Sequence, residues 1–144
     1  YETRAKQILG KLQIEDFNQP LSQLSGGQLQ RISIARCLAS GAKVFFLDEA
    51  TGALDIKMKR EIQDLLLKIA NQPGIETTII NVTHSIEEAL YISDKIVVLK
   101  PNPCTIFKEM NIDYGQERGR WVFDSEKYHQ YSKELSETLD EVCK

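Results

Sequence analysis

Residues 44–49 read VFFLDE, a continuous apolar run that ends in two adjacent acids. A short apolar run without alternation is typical of a β-strand that is buried on both faces. The segment after it places apolar residues at helical spacing, namely Ile62, Leu65, Leu66 and Ile69. A buried strand followed by an amphipathic helix favours an α/β fold.

Two further apolar runs continue this alternation, TTIINVT at 77–83 and KIVVL at 95–99, with the helix-like SIEEALYI between them. Strand, helix, strand, helix, strand predicts a parallel sheet with right-handed crossovers. In such sheets ligands bind beyond the carboxyl ends of the strands. Asp48-Glu49 and Thr83-His84 both fall at strand ends, so they are candidate site residues.

On the amino-terminal side, residues 24–28 read LSGGQ and lead into an apolar-periodic helix that is predicted to end near Gly41. Ser25 is a good N-cap, and Gly26 and Gly27 leave backbone N–H groups unobstructed at the positive end of the helix dipole. Such an end attracts an anion. The same residues are also compatible with a plain turn and cap, in which Gln28 only satisfies helix-end backbone groups.

The flanks are predicted to be helical as well, from Thr3 to about Leu12 and over residues 127–142. A loop or short hairpin is expected between Pro101 and the last helix. The length of 144 residues suits one domain with a real core.

Composition and charge exclude several classes of function. The net charge of −3, with both signs interspersed, gives no broad basic field and disfavours nucleic acid as a ligand. No apolar run approaches the ~20 residues that span a bilayer, so no direct membrane span is expected. The three cysteines are odd in number and widely spaced, which indicates neither a disulfide framework nor a zinc site: Cys37, Cys104 and Cys143.

Four motifs together resemble the ATP-binding subunit of ATP-binding-cassette (ABC) transporters. LSGGQ at 24–28 is similar to the family's signature motif, and VFFLDE at 44–49 to its Walker B strand. Residues 52–55 (GALD) resemble the D-loop, and His84 resembles the switch histidine. The resemblance implies a P-loop NTPase fold, a parallel sheet with flanking helices, that binds ATP and Mg²⁺.

The resemblance also implies a role for each residue. Asp48 becomes the Mg²⁺ ligand, Glu49 the general base and His84 a donor to the γ-phosphate. The nucleotide-contacting set is Ser25, Gly26, Gly27, Gln28 and Asp55. Asp55 has a plainer alternative as the N-cap of the helix that follows it, and both roles are compatible.

One expected element is missing. A phosphate cradle of the form G-x-x-x-x-G-K-[ST] does not occur, and we expect it upstream of Tyr1. The chain is therefore interpreted as an incomplete ABC ATPase domain lacking the Walker A segment. Its regions are the end of the helical subdomain (1–40), the carboxy-terminal part of the catalytic core (41–100) and a hairpin or loop with a helix (101–144). Alone it is expected to bind ATP very weakly and not to hydrolyse it.

The expected partners are a second ATPase subunit, in a head-to-tail dimer, and transmembrane permease subunits, at the cytoplasmic face of the membrane. Residues 83–113 resemble importer ATPases of the nitrate, sulfonate and taurine type. The run TGALD is also similar to exporter ATPases, which stay open as an alternative. Two further alternatives are a soluble non-transport ABC ATPase acting on chromosomes, DNA repair or ribosomes, and a degenerate regulatory fragment.

Overall fold

The computed structural model of the protein describes Lys6, Gly10 and residues 19–71, 73 and 76–143. The chain divides into two compact units, residues 1–82 and 83–144. The helix predicted from Thr3 to about Leu12 lies outside the described residues, apart from Lys6 and Gly10. The region boundaries at residues 40 and 100 remain predictions.

The first unit contains a strand, helix, strand arrangement preceded by a further helix. Its elements are a 3-10 turn (Leu21–Gln23), α1 (Gly26–Ala39), β1 (Val44–Asp48), α2 (Ile56–Ala70) and β2 (Thr78–Val82). Strands β1 and β2 pair in parallel, with Asp48 opposite Val82. The predicted parallel pairing of these two strands is therefore confirmed, and their carboxyl ends lie side by side.

Local sequence explains where the helices of this unit begin and end. Asp55 precedes α2, and its Oδ1 accepts a hydrogen bond of 3.0 Å from the Met58 N–H, as an N-cap does. Gly41 follows α1 with φ +72°, the left-handed conformation that closes many helices. The predicted end of this helix near Gly41 is confirmed.

The prediction that β1 is buried on both faces is wrong. Phe45 and Leu47 are buried, but Phe46 is 73% exposed and Val44 50%. Successive side chains of a strand point to opposite faces, and the described residues of this unit cover only one of them. The exposed face continues onto β2 through Ile80.

The second unit is built on an antiparallel hairpin. Its elements are α3 (Ile86–Ile92), β3 (Lys95–Lys100), β4 (Thr105–Asn111), a 3-10 turn (Arg120–Asp124) and α4 (Glu126–Val142). Strand β3 pairs with β4, with Ile96 opposite Met110, in a sheet separate from that of β1 and β2. The prediction that residues 95–99 extend the parallel sheet is thus wrong for the described residues. A turn of only four residues brings β4 back beside β3, and so short a loop costs little closure entropy.

Aromatic side chains fill much of the core of this unit. Tyr91 stacks on Phe123 with 5.0 Å between ring centroids, and Tyr114 meets Trp121 edge to face at 6.1 Å. The Tyr114 hydroxyl donates a 3.1 Å hydrogen bond to the Leu90 carbonyl of α3, so the buried phenol is satisfied. The hydroxyl ties residue 114 to α3.

This buried phenol predicts a loss of stability in alkaline solution. Burial raises the pKa of Tyr114 from its ordinary 10.0 to about 12. Its contribution to the free energy of unfolding is fully present below the unfolded pKa, and it is lost as the pH rises through the folded pKa. We expect Tyr114→Phe to remove this part of the pH dependence and to cost about 1 kcal/mol at neutral pH through the lost hydrogen bond.

The measurement is urea unfolding of the wild type and the variant at about pH 8 and about pH 11, on either side of the unfolded pKa. The difference between the two proteins should shrink at the higher pH. A variant whose free energy of unfolding falls as steeply as that of the wild type would contradict the assignment.

Candidate functional site

The turn before α1 is a complete capping box. The Ser25 Oγ accepts a 3.2 Å hydrogen bond from the Gln28 N–H, and the Gln28 Oε1 accepts one of 2.8 Å from the Ser25 N–H. Two helix-end donors are satisfied in this way. Gln28 therefore has the structural role that was left open for it, while the Ser25 hydroxyl hydrogen takes no part in either bond.

The two glycines of this turn have different surroundings. A Cβ on Gly26 would meet no atom within 4 Å, whereas one on Gly27 would lie 3.5 Å from Leu54 Cδ2. Gly26 therefore leaves an open approach to the first backbone N–H groups of a 14-residue helix. At Gly27 a Cβ would make an ordinary van der Waals contact, which shows that the turn lies beside Leu54. The amino end of α1 can thus accept an anion at Gly26, where the dipole is positive.

The two acids occupy the carboxyl end of β1, and Glu49 has an unusual backbone. Its φ is +50°, in the left-handed region that costs a non-glycine residue about 1 kcal/mol or more. The Glu49 N–H donates to the Val82 carbonyl at 2.9 Å, and its carbonyl accepts from the Gly52 N–H at 3.1 Å. These bonds hold the turn that sends the chain away from the sheet, and both acids stay exposed.

The segment between β1 and α2 lies beside both the signature turn and the strand-end acids. The position of a Cβ on Gly52 would lie 3.5 Å from the Glu49 Oε2, so glycine lets the chain pass close to that carboxylate. Leu54 contacts the signature turn at Gly27, and Asp55 caps α2. The first unit thus brings together the signature turn, the strand-end acids and the residues between them.

Sequence reasoning missed Gln30, which lies on α1. Its Nε2 donates to the Ala50 carbonyl and lies 3.5 Å from the Glu49 carbonyl oxygen. A lone glutamine two residues after the capping glutamine carries no signal of a contact that is 20 residues distant in sequence. Only the fold reveals it.

His84 lies near the start of the second unit, two residues after β2 ends, and its neighbours on both sides are anchored. The Thr83 hydroxyl donates to the Glu88 Oε2 at 2.6 Å and accepts from the Ser85 N–H at 3.1 Å. The Ser85 Oγ accepts from the Glu88 N–H at 3.3 Å, as the N-cap of α3. Glu88 itself is 3% exposed. An exposed histidine is therefore carried on a loop that is fixed at each end.

Thr83 was predicted only as a candidate at a strand end, and Glu88 was missed, although part of the signal was present. Residues 85–88 (SIEE) fit the S-x-x-E pattern of a capping box, which predicts that Glu88 accepts from the Ser85 N–H. In the structure the Ser85 N–H donates to the Thr83 hydroxyl instead, and that hydroxyl donates to the Glu88 carboxylate.

Comparison with known proteins gives one consistent result. Residues 1–52 match the family described as ABC transporter. The taurine import ATP-binding protein TauB of Jannaschia sp. (strain CCS1) is 37% identical over 118 residues, which are 81% of this chain and 43% of that protein. The protein of the same name from Ruegeria pomeroyi is 37% identical over 141 residues, 94% of this chain and 52% of that one.

Solved structures agree. A dimeric post-hydrolysis structure of the ATP-binding cassette MJ0796 bound to ADP and Pi matches with a TM-score of 0.66 and 34% identity, over 77% of this chain and 47% of that one. The chain belongs to the ABC transporter ATP-binding family. The predicted P-loop NTPase type of fold is confirmed by the same comparison. The chain spans about half the length of the curated relatives it matches.

The strand-end acids suit the Mg²⁺ that an ABC ATPase uses with its nucleotide. Magnesium is usually bound by one or two carboxylates together with substrate phosphates and waters. Asp48 supplies one exposed carboxylate and leaves that of Glu49 for a proton, and no group of three or more His, Cys, Asp or Glu side chains among the described residues could hold a metal. This donor set fits an ion shared with a triphosphate.

Proposed function

We propose that the chain is part of the ATP-hydrolysing subunit of an ABC importer. The observation that carries this proposal is the strand-end pair Asp48-Glu49, exposed at the end of the parallel sheet, with hydrogen bonds to both the backbone N–H and the backbone carbonyl of Glu49. The names of the relatives, taurine import ATP-binding proteins, favour an importer over an exporter.

The chain's own residues divide the chemistry between them. Asp48 provides an oxygen ligand for Mg²⁺, which neutralises phosphate charge when it is bound. Glu49 accepts a proton from the water that attacks the γ-phosphorus, while the bond from that phosphorus to the β,γ-bridging oxygen breaks. The proton moves to a carboxylate oxygen of Glu49, and ADP and inorganic phosphate are the products.

His84 donates a hydrogen bond to a γ-phosphate oxygen and so distinguishes ATP from ADP. A donor in this role must be pre-oriented, because reorganisation during the reaction would cost free energy. The bonds of Thr83 and Ser85 to Glu88 supply that orientation from both sides of the histidine.

The signature turn acts on the nucleotide of a second subunit in a head-to-tail dimer. The open surface at Gly26 and the uncommitted hydroxyl hydrogen of Ser25 face a γ-phosphate that the partner holds, with Gln28 fixing the turn. Asp55 contacts the partner as well as capping α2. Closure on ATP and reopening after hydrolysis then drive a conformational change in the permease.

The subunit is placed at the cytoplasmic face of the membrane through its permease partners. Among residues 19–71 and 76–143 no helix combines the length and apolar character that a membrane crossing requires.

The metal assignment gives the test of this function. In the full-length subunit, Asp48→Asn should lower the rate of ATP hydrolysis about 10- to 100-fold and raise the Mg²⁺ concentration for half-maximal activity, because a neutral amide is a poorer ligand. A Mg²⁺ titration of ATPase activity measures both quantities.

Asp140→Asn is the matched control, since it removes the same charge from an exposed position on α4. It should leave both quantities unchanged. If Asp48→Asn gave the wild-type rate and the wild-type magnesium dependence, the strand-end site would not be the metal site. A full-length wild-type subunit without ATPase activity would contradict the proposed function itself.

A further inference from the structure

The conformation of Glu49 needs support from outside its own turn. A positive φ in a non-glycine residue persists only where surrounding contacts hold it. The Val82 carbonyl fixes the Glu49 N–H, and the Gly52 N–H fixes its carbonyl. The next peptide carbonyl, that of Ala50, is fixed by a side chain from a different element, Gln30 of α1.

Gln30 lies on a different face of α1 from the capping glutamine. Two residues along a helix of 3.6 residues per turn correspond to a rotation of about 200°. Gln28 therefore holds the signature turn while Gln30 reaches the opposite way, to the chain just beyond Glu49. Helix α1 therefore contacts both the signature turn and the chain just beyond Glu49.

The chemistry of the amide suits this task. A glutamine amide carries two N–H donors, and here Nε2 is shared between neighbouring carbonyls. The Ala50 carbonyl is its main partner, because the 3.5 Å separation from the Glu49 carbonyl oxygen is long for a hydrogen bond. The donor thus fixes the peptide between Ala50 and Thr51, inside the turn that the Gly52 N–H closes on the Glu49 carbonyl. Holding this turn limits the backbone conformations open to Glu49 and therefore the direction of its carboxylate.

We propose that Gln30 is a positioning residue for Glu49, which couples the signature helix to the general base of its own subunit. This inference rests on the proposed function, since it takes Glu49 as the base. Because α1 is one continuous helix of 14 residues, a displacement of its amino end also moves Gln30. When the partner's ATP binds at the signature turn and displaces the amino end of α1, the alignment of Glu49 therefore changes as well.

The test compares binding with turnover in the full-length subunit. Gln30→Met keeps the length and the helix propensity of the side chain and removes both donors. We expect kcat for ATP hydrolysis to fall about 30- to 100-fold, because a small misplacement of a catalytic group has an effect of that size. The Kd for ATP, measured by equilibrium binding, should stay at its wild-type value, and the melting temperature should fall by no more than the loss of one hydrogen bond explains.

Two further variants distinguish the loss of the Gln30 hydrogen bond from a folding defect. Gln30→Asn keeps the amide but is one methylene too short to reach the Ala50 carbonyl, so it should show the same fall in kcat. Ser33→Ala is the matched control, because the Ser33 hydroxyl donates to the Leu29 carbonyl of the same helix at 3.0 Å and is exposed. Its kcat should equal that of the wild type.

A double variant separates this inference from the proposed function. With Glu49→Gln already present, Gln30→Met should lower the residual rate no further, because the base that it positions is absent. A further fall by the same factor would overturn the inference, as would a wild-type kcat for Gln30→Met. A wild-type rate for Glu49→Gln alone would instead overturn the proposed function.

Discussion

Glu49→Gln in the full-length subunit is expected to reduce ATP hydrolysis by a factor of about 10² to 10⁴, the usual contribution of a general base. The substitution keeps the size of the side chain, and it leaves in place the hydrogen bonds of the Glu49 backbone N–H and carbonyl. ATP binding should therefore persist. In the proposed cycle, closure depends on ATP and reopening on hydrolysis, so the variant should accumulate as an ATP-bound dimer.

Two measurements check this expectation: phosphate release with Mg²⁺ and ATP, and the molar mass in solution with and without ATP. Glu76→Gln makes the same chemical change at an exposed coil position before β2 and should behave as the wild type does. Wild-type turnover by Glu49→Gln would show that another group accepts the proton.

Gly26→Asp is expected to abolish ATP-dependent dimerisation and to lower hydrolysis by more than about 100-fold, with little effect on the isolated subunit. A Cβ at this position would meet no atom of the described residues within 4 Å, so the turn accommodates the start of a side chain. An acid in the first turn of a helix is stabilising by about 0.3–1 kcal/mol, so the melting temperature should stay or rise. The new carboxylate fills the open approach and repels a triphosphate.

Ser22→Asp is the matched control, since it adds the same charge at an exposed position three residues before Ser25. It should dimerise normally. An equal loss of ATP affinity in the Gly26→Asp monomer would mean that the signature turn serves the nucleotide of its own chain.

Mixing the Gly26→Asp and Glu49→Gln subunits tests the head-to-tail arrangement directly. Each is inactive alone, but a heterodimer has one site that combines the intact Glu49 of the first with the intact signature turn of the second. Hydrolysis should therefore reappear on mixing. Persistent inactivity, with heterodimers demonstrated, would place the two features in one site of one chain.

Local sequence predicted a good part of the candidate site. The caps at Ser25 and Asp55 and the turn at Gly41 involve groups no more than three residues apart. Interactions this short depend on side-chain type and spacing alone. The end of the parallel pair at Asp48 was predictable for the same reason, because the apolar run and its acidic end are contiguous.

Pairings between distant segments were less predictable. An apolar run such as residues 95–99 suits a parallel or an antiparallel neighbour equally well, and the periodicity of the run does not distinguish them. The burial of β1 on one face, rather than two, likewise depends on what packs against it. The sequence predicted which segments form strands. It did not predict how residues 95–99 pair or which faces of β1 are buried.

The sequence by itself determined the family, the caps and the chemical groups available at the site, because these follow from residue identity at short range. Only the tertiary structure decided that Gln30 reaches the Ala50 carbonyl, that Thr83 links Ser85 to Glu88, and that β3 turns back onto β4. The physical reason is that each of these contacts satisfies a polar or apolar group with a partner that many sequence positions could have supplied. The fold selects one of them by bringing it within reach.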